Sequence, residues 1–257
     1  MAPETATRWS APKATKTSLD LPADQRQLLE QAKATGKPLI VVLFNGSPID
    51  LSWARENASA IIEAWYPGQS GGLAVANAIA GKTNPAGRLP LTFYRSVADL
   101  PPFADYAMAG RTYRYFTGTP VYPFGYGLSY SRFEYAALNI EPLQGDAAKG
   151  AHVSTTVTNS SARSGEEVVE LYLDPPEFEG APRLALRGFQ RLALRAGESR
   201  NLTFELSPRD LSFVTRDGQR QIFSGTYHVT VGSGQPDTGV PFQTGAIEIS
   251  RVVALPE

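Results

Sequence analysis

Cysteine is absent from this chain, which excludes disulfides, thiolate zinc sites and a cysteine nucleophile while leaving the compartment open. Histidine is scarce: the 2 present, His152 and His228, stand far apart with no acids clustered at a ligand spacing, so no metal site and no cofactor are expected. Charge of either sign is also in short supply. With 24 Lys+Arg against 25 Asp+Glu, the formal net charge of -1 provides no basic stripe for nucleic acid and no polybasic segment for an anionic membrane. The longest strongly apolar run, Pro38 to Phe44, is far shorter than a membrane span. The N-terminal MAPETATRWSAPKATKT lacks the apolar core of a signal peptide, so localisation is left unknown and an exported parent would carry its signal upstream.

What is present is a globular composition, 42% hydrophobic over 257 residues, enough for one large domain or two ordinary ones. Residues 1–17 are rich in Ala, Thr, Pro and Lys without period and read as a disordered or divergent lead-in. From Pro22 the pattern turns helical, with Pro in the first turn, Leu28, Leu29 and Ala32 on one face, and Gly36 closing it. PLIVVLF (Pro38 to Phe44) suits a strand covered on both faces, Leu51 to Asn57 a helix, Ala60 to Trp65 a second buried strand, and Gly72 to Ile79 a helix ending at Gly81. This alternation implies a mainly parallel sheet. Beyond about Glu134 the grammar changes to short alternating segments, His152 to Thr158, Val168 to Leu173, Arg200 to Leu206 and Gly225 to Val231, which predict a β-sandwich. The fold class expected is therefore α/β (residues 18–133) followed by all-β (residues 134–257).

Three segments carry more glycine, arginine and aromatic residues than packing requires: AWYPGQSGG (Ala64 to Gly72), NPAGRLPLTFYRSVADLPPF (Asn84 to Phe103) and GRTYRYFTGTPVYPFGYGLSY (Gly110 to Tyr130). In this order they resemble the C-terminal half of glycoside hydrolase family 3, the retaining β-glucosidases and β-xylosidases. The resemblance implies the end of an α/β sandwich followed by a fibronectin type III-like domain, with the catalytic barrel outside this chain. It further implies a β-linked gluco- or xylo-oligosaccharide as substrate of the intact enzyme, whose family is often periplasmic or secreted.

A retaining glycosidase needs two carboxyl groups about 5 Å apart, one nucleophile and one proton donor. The resemblance puts the nucleophile on an aspartate of the barrel and the donor on a glutamate shortly before the segment matching SLDLP (Ser18 to Pro22); there the chain offers only Glu4, in the unmatched context PETAT. Trp65, Tyr66 and Gly68 fall where a strand gives way to a helix, the usual place for ligand contact in an open α/β sheet, so Trp65 and Tyr66 are candidates to stack on a sugar or to fill the sheet–helix interface. Arg111, Tyr113, Arg114 and Tyr115 alternate as on an extended segment; Arg111 and Tyr113 are candidates to face the glycone pocket or to anchor the two domains to each other. PFGYGLSY (Pro123 to Tyr130) reads as a rigid interdomain hinge, with Gly125 and Gly127 permitting close backbone approach.

A competing signal is Gly68-Gln69-Ser70-Gly71-Gly72, a G-x-S-x-G match that would make Ser70 a hydrolase nucleophile if a histidine and an acid reached it. Asp174, Glu177 and Glu179 form the nearest thing to an acidic cluster and read as a solvated loop. The chain is thus expected to be inactive alone. The alternative is a noncatalytic carbohydrate-binding or assembly module that pairs with a separately encoded barrel chain, and a truncated sheet predicts self-association.

Overall fold

The computed structural model describes residues 18–256; Glu4 and the rest of the lead-in lie outside the described residues. Helix α1 (Ala23–Ala34) starts directly after Pro22, which sits at the N-cap rather than in the first turn, and Gly36 ends it in the left-handed conformation (φ 72°). Only one of its two adjacent leucines faces inward. Leu29 packs on the α/β core while Leu28 is exposed, because neighbours on a helix of 3.6 residues per turn point about 100° apart.

Strand β1 (Ile40–Leu43) leads into α2 (Ser52–Asn57), β2 (Ala60–Glu63) and α3 (Gly71–Ile79). β1 and β2 pair in parallel, Ile40 opposite Ala60 through Leu43 opposite Glu63, with α2 as the crossover. β1 is not covered on both faces: Val41 and Leu43 are buried against Leu51, Ala54, Phe93 and Val121, whereas Ile40 and Phe44 are exposed. No layer among the described residues covers that second face, although the continuous apolar run is suited to one.

Past α3 the chain doubles back on itself. Residues 88–93 run antiparallel to residues 121–126, with Phe93 N–H donating to Tyr122 O at 2.9 Å and Gly125 N–H to Leu89 O at 2.7 Å. Between them lies α4 (Thr112–Tyr115), so Arg111 to Tyr115 do not form the extended segment expected from their alternation. Gly110 (φ 70°) and Thr112 (φ 56°) turn the backbone there, and Thr112 N–H is held by the Tyr94 hydroxyl at 2.7 Å.

The remainder is a β-sandwich. β3 (Phe133–Pro142), β4 (Ala151–Asn159), β5 (Gly165–Asp174), β6 (Ala185–Leu194) and β7 (Ser199–Leu206) are followed by the short helix α5 (Pro208–Leu211), β8 (Phe213–Val214), β9 (Arg220–Ile222), β10 (Gly225–Gly232), β11 (Phe242–Ile249) and β12 (Val253–Ala254). Two antiparallel sheets, in order β11-β10-β5-β6 and β3-β4-β7, face each other, and a small sheet β12-β9-β8 closes one end. Their inward residues, among them Val153, Val157, Val169, Leu171, Leu173, Tyr227 and Val229, make the largest core of the chain. Each such side chain contributes about 1.5–3 kcal/mol by leaving water. β5 is buried on both faces: Val169, Leu171 and Leu173 point into the sandwich, while Glu170 and Tyr172 point outward yet are also buried, because the α/β part lies over them.

Candidate functional site

Two places gather polar side chains: the C-terminal ends of β1 and β2, and the junction between the two domains. At the strand ends, Trp65 adopts a left-handed backbone (φ 51°), and its N–H is captured by Glu63 Oε1 at 3.0 Å. Burial pushes the Glu63 carboxyl above its ordinary pKa, while the Trp65 N–H and the amide of nearby Asn45 pull the other way. Glu63 Oε2 and Asn45 Oδ1 are both buried and find no hydrogen-bond partner among the described residues, a condition that costs about 1–3 kcal/mol per group when nothing offsets it. The Trp65 ring turns inward onto Phe93, centroids 6.1 Å apart, and so fills the interior interface. Tyr66 goes the other way. It is 79% exposed and lies against Gly46, where an added Cβ would fall 2.6 Å from the ring. The strand ends thus hold one carboxyl, one amide and one open aromatic ring.

Ser70 occupies the N-cap position of α3, with no side-chain capping hydrogen bond. The glycines around it have structural reasons: Gly68 is left-handed (φ 70°), and a Cβ on Gly71 would sit 2.3 Å from the Pro67 ring. Both histidines are strand residues of the sandwich, His152 on β4 and His228 on β10, and no hydrogen bond among the described residues links either to Ser70. The acidic trio is dispersed as well. Asp174 ends β5 opposite His228, and Glu179 pairs at 3.2 Å with exposed Arg216. Among the described residues no group of three or more His, Asp or Glu could hold a metal, and no helix is long and apolar enough to cross a membrane.

Arg111 and Tyr113 do not join the strand-end cluster through any hydrogen bond or ring contact among the described residues. Arg111 holds its own loop, donating to the carbonyls of Pro102 (3.1 Å), Asp105 (2.6 Å) and Ala107 (3.1 Å). Tyr113 belongs to the junction: its ring stacks on Phe124 at 4.5 Å and meets Tyr172 edge-on at 6.0 Å, while its hydroxyl accepts the Leu186 N–H at 3.1 Å. Gly125 (φ 80°) lets the hinge backbone descend onto β5, since a Cβ there would be 2.3 Å from Glu170 Oε2. Gly127 is as tightly placed, 2.1 Å from the Gly87 carbonyl by the same measure. Asn84 knits its own turn to the 129–131 and 164 backbone, donating to Ser131 Oγ (2.8 Å) and the Ser164 carbonyl (3.1 Å) and accepting from Ser129 Oγ and Tyr130 N–H.

The junction also holds residues that pattern reading passed over. Glu170 is buried beneath Gly125, accepts the Tyr172 hydroxyl at 2.6 Å, and is raised to about 7, first by burial; Tyr172 and Arg88 favour its ionised form and Glu167 opposes it. Glu167 and Arg88 pair beside it. The available signal was Glu170 inside the otherwise apolar run VVELYL, preceded by Glu166-Glu167.

Comparison with known proteins places this architecture. Residues 4–130 match the glycosyl hydrolase family 3 C-terminal domain, and residues 167–235 match a fibronectin type III-like domain. A xylan 1,4-beta-xylosidase of Xylanibacter ruminicola is 41% identical over 82% of this chain and 25% of its own length. A periplasmic beta-glucosidase of Salmonella typhimurium is 36% identical over 84% of this chain and 30% of its own length. The crystal structure of a family 3 beta-glucosidase of Bifidobacterium adolescentis superposes with a TM-score of 0.80 at 32% identity, covering 90% of this chain and 36% of that one. The chain therefore spans about a quarter to a third of the length of the relatives it matches.

Proposed function

This chain belongs to glycoside hydrolase family 3, as its C-terminal portion, and from that premise we propose that it serves a β-glycosidase that hydrolyses β-linked gluco- or xylo-oligosaccharides. Its part in that reaction is to support and wall the sugar pocket rather than to supply the nucleophile. The observation that carries this reading is the strand-end cluster. It holds a single carboxyl, Glu63, whose Oε1 is spent on the Trp65 N–H, whereas retention needs two carboxyls about 5 Å apart acting in turn as nucleophile and acid. Beside it Tyr66 and Phe44 stand exposed, apolar surface suited to a further protein layer and to the face of a sugar ring. A separately encoded barrel chain is one source of that layer; a second copy of this chain, by self-association, is another.

The test is hydrolysis of aryl β-glucosides and β-xylosides. The purified chain alone should show no turnover, and mixing it with the catalytic barrel segment of a family relative should produce it. Turnover by the chain alone that vanishes in Glu4→Ala or Glu63→Gln would overturn the supporting role. Ser70 has no part in this reading, and a fluorophosphonate should leave it unlabelled.

A further inference from the structure

The outer face of the sheet β11-β10-β5-β6 is only partly covered by the α/β domain. Its cross-strand rows are Ala246–His228–Asp174, then Thr244–Thr230–Tyr172, then Phe242–Gly232–Glu170. Phe124 and Gly125 come down over Glu170 and Tyr172 through Tyr113. The remainder, Asp174, His228, Thr244 and Phe242 with the largely buried Thr230 between them, forms the floor of a cleft of about 490 Å³ between the two domains. Its walls are the 116–123 loop, Arg183, and the turn from Gln235 to Thr238.

We propose that this cleft is a binding site for a neutral saccharide of one or two pyranose units. Its size falls within the roughly 300–1,000 Å³ of small-molecule sites, and it is shared between two domains, a common location for them. The polar groups converge from different elements. Asp174 offers a carboxylate able to accept from adjacent hydroxyls, His228 opposite it can donate or accept, and the Thr230 and Thr244 hydroxyls, 3.2 Å apart, can do either. Arg183 is positioned by its Nη1 bond to the Phe116 carbonyl at 2.8 Å, and Gln235 by its 2.6 Å bond to the Phe124 carbonyl, so the walls are built rather than loose. At the far end Phe242, 38% exposed, presents an apolar ring of the kind that packs on the C–H face of a sugar.

The charge balance selects against anions. Two carboxylates, Asp174 and Asp237, face one guanidinium and one imidazole, which disfavours phosphate and nucleotide ligands and leaves uncharged hydroxyl-rich ones. Successive rows lie about 7 Å apart, from a strand rise of ~3.4 Å per residue, so Phe242 stands two rows, roughly 14 Å, from the Asp174–His228 pair; one pyranose occupies either end and a pair of rings is needed to approach both. This site is carried wholly by the present chain and goes beyond the proposed hydrolysis; it stands or falls whether or not that activity is found.

The experiment is a titration of the full 257-residue chain with xylobiose and cellobiose, followed by amide chemical shifts. Saturable shifts confined to the floor and walls of the cleft are expected, with Asp174→Asn and Phe242→Ala each weakening binding about fivefold or more, the scale of one lost hydrogen bond or packing contact. Thr244→Trp, at an exposed strand position, gives up the Thr230 hydroxyl contact but fills the cleft, and should abolish binding while amide shifts away from the cleft stay as in the parent. Glucose 6-phosphate and acyclic sorbitol should not saturate. Absence of saturation by either disaccharide, shifts located elsewhere, binding that survives Thr244→Trp, or equal binding of sorbitol would each overturn the site.

Discussion

Arg88 and Glu167, 79 residues apart, meet across the domain junction with Nη2 and Oε2 2.8 Å apart and side chains only 7% and 1% exposed. The remaining hydrogen-bonding capacity is also used: Arg88 Nε donates to the Ser233 carbonyl at 3.1 Å, and Glu167 Oε1 accepts the Tyr135 hydroxyl at 2.7 Å and the Ser233 hydroxyl. A buried ion pair repays its desolvation only with such complete satisfaction. This one joins the NPAGR turn of the first domain to β5, β3 and the loop after β10 of the second.

Arg88→Met should therefore be among the most damaging single changes in the chain. It leaves Glu167 buried without a cation, a loss of about 3–5 kcal/mol by analogy with other broken buried pairs. The double variant Arg88→Met/Glu167→Gln should recover a large part of that loss. Chemical denaturation of both variants checks this, and equal destabilisation of single and double variants would show that the pair is not coupled.

Glu170 makes the junction sensitive to pH. Its carboxyl is raised from the ordinary 4.5 to about 7, chiefly by burial, so between those values the folded chain binds more protons than the unfolded one. Stability from this group is fully present below about pH 4.5 and falls as pH rises toward 7, by on the order of 3 kcal/mol at most. Glu170→Gln keeps the Tyr172 hydroxyl partnered and should flatten that slope, giving a variant that is more stable than the parent at pH 8 and similar at pH 5. Melting curves across this range are the measurement, and an unchanged slope in the variant would assign the dependence elsewhere.

Two glycines, each followed by a leucine, should respond oppositely to alanine. At Gly127 a Cβ would lie 2.1 Å from the Gly87 carbonyl, backbone that cannot step aside, so Gly127→Ala should separate the 87–89 and 125–127 segments and lower the melting temperature. At Gly72, exposed within α3 with nothing within 4 Å, alanine should stabilise by up to about 1 kcal/mol through helix propensity. Limited proteolysis between Pro123 and Tyr130 should accelerate in the first variant and not in the second.

Much of the architecture is local and so could be read from residue order. The apolar run of β1, the glycine after α1, the turn glycine at 68 and the alternation of β4 and β10 each express a short-range constraint, a period of 2 or 3.6 or a backbone angle only glycine adopts without strain. β6 and β11 were harder, because ALRGFQRLAL and FQTGAIEI interrupt their alternation with glycine and polar residues that face a covered or an open surface. For Trp65 residue order left two readings open, stacking on a sugar and filling the sheet–helix interface, while the hinge glycines were legible as points of close approach.

The order of residues determined which segments become strands, helices and turns, and with them the family to which the chain belongs, since those depend on neighbours a few positions away. Only the tertiary structure decided that Arg111 to Tyr115 coil into a helical turn, that Tyr113 faces the second domain, that Glu167 is buried against Arg88, and that Glu170 on β5 is buried while Asp174 on the same strand face opens into a cleft. The reason is that the environment of an outward-facing side chain is set by what is laid over it, and here the covering groups, Gly87 to Arg88 and Tyr113 to Gly125, arrive from tens of residues upstream. Whether a carboxyl is wet, paired or protonated is a property of that covering and not of its own stretch of chain.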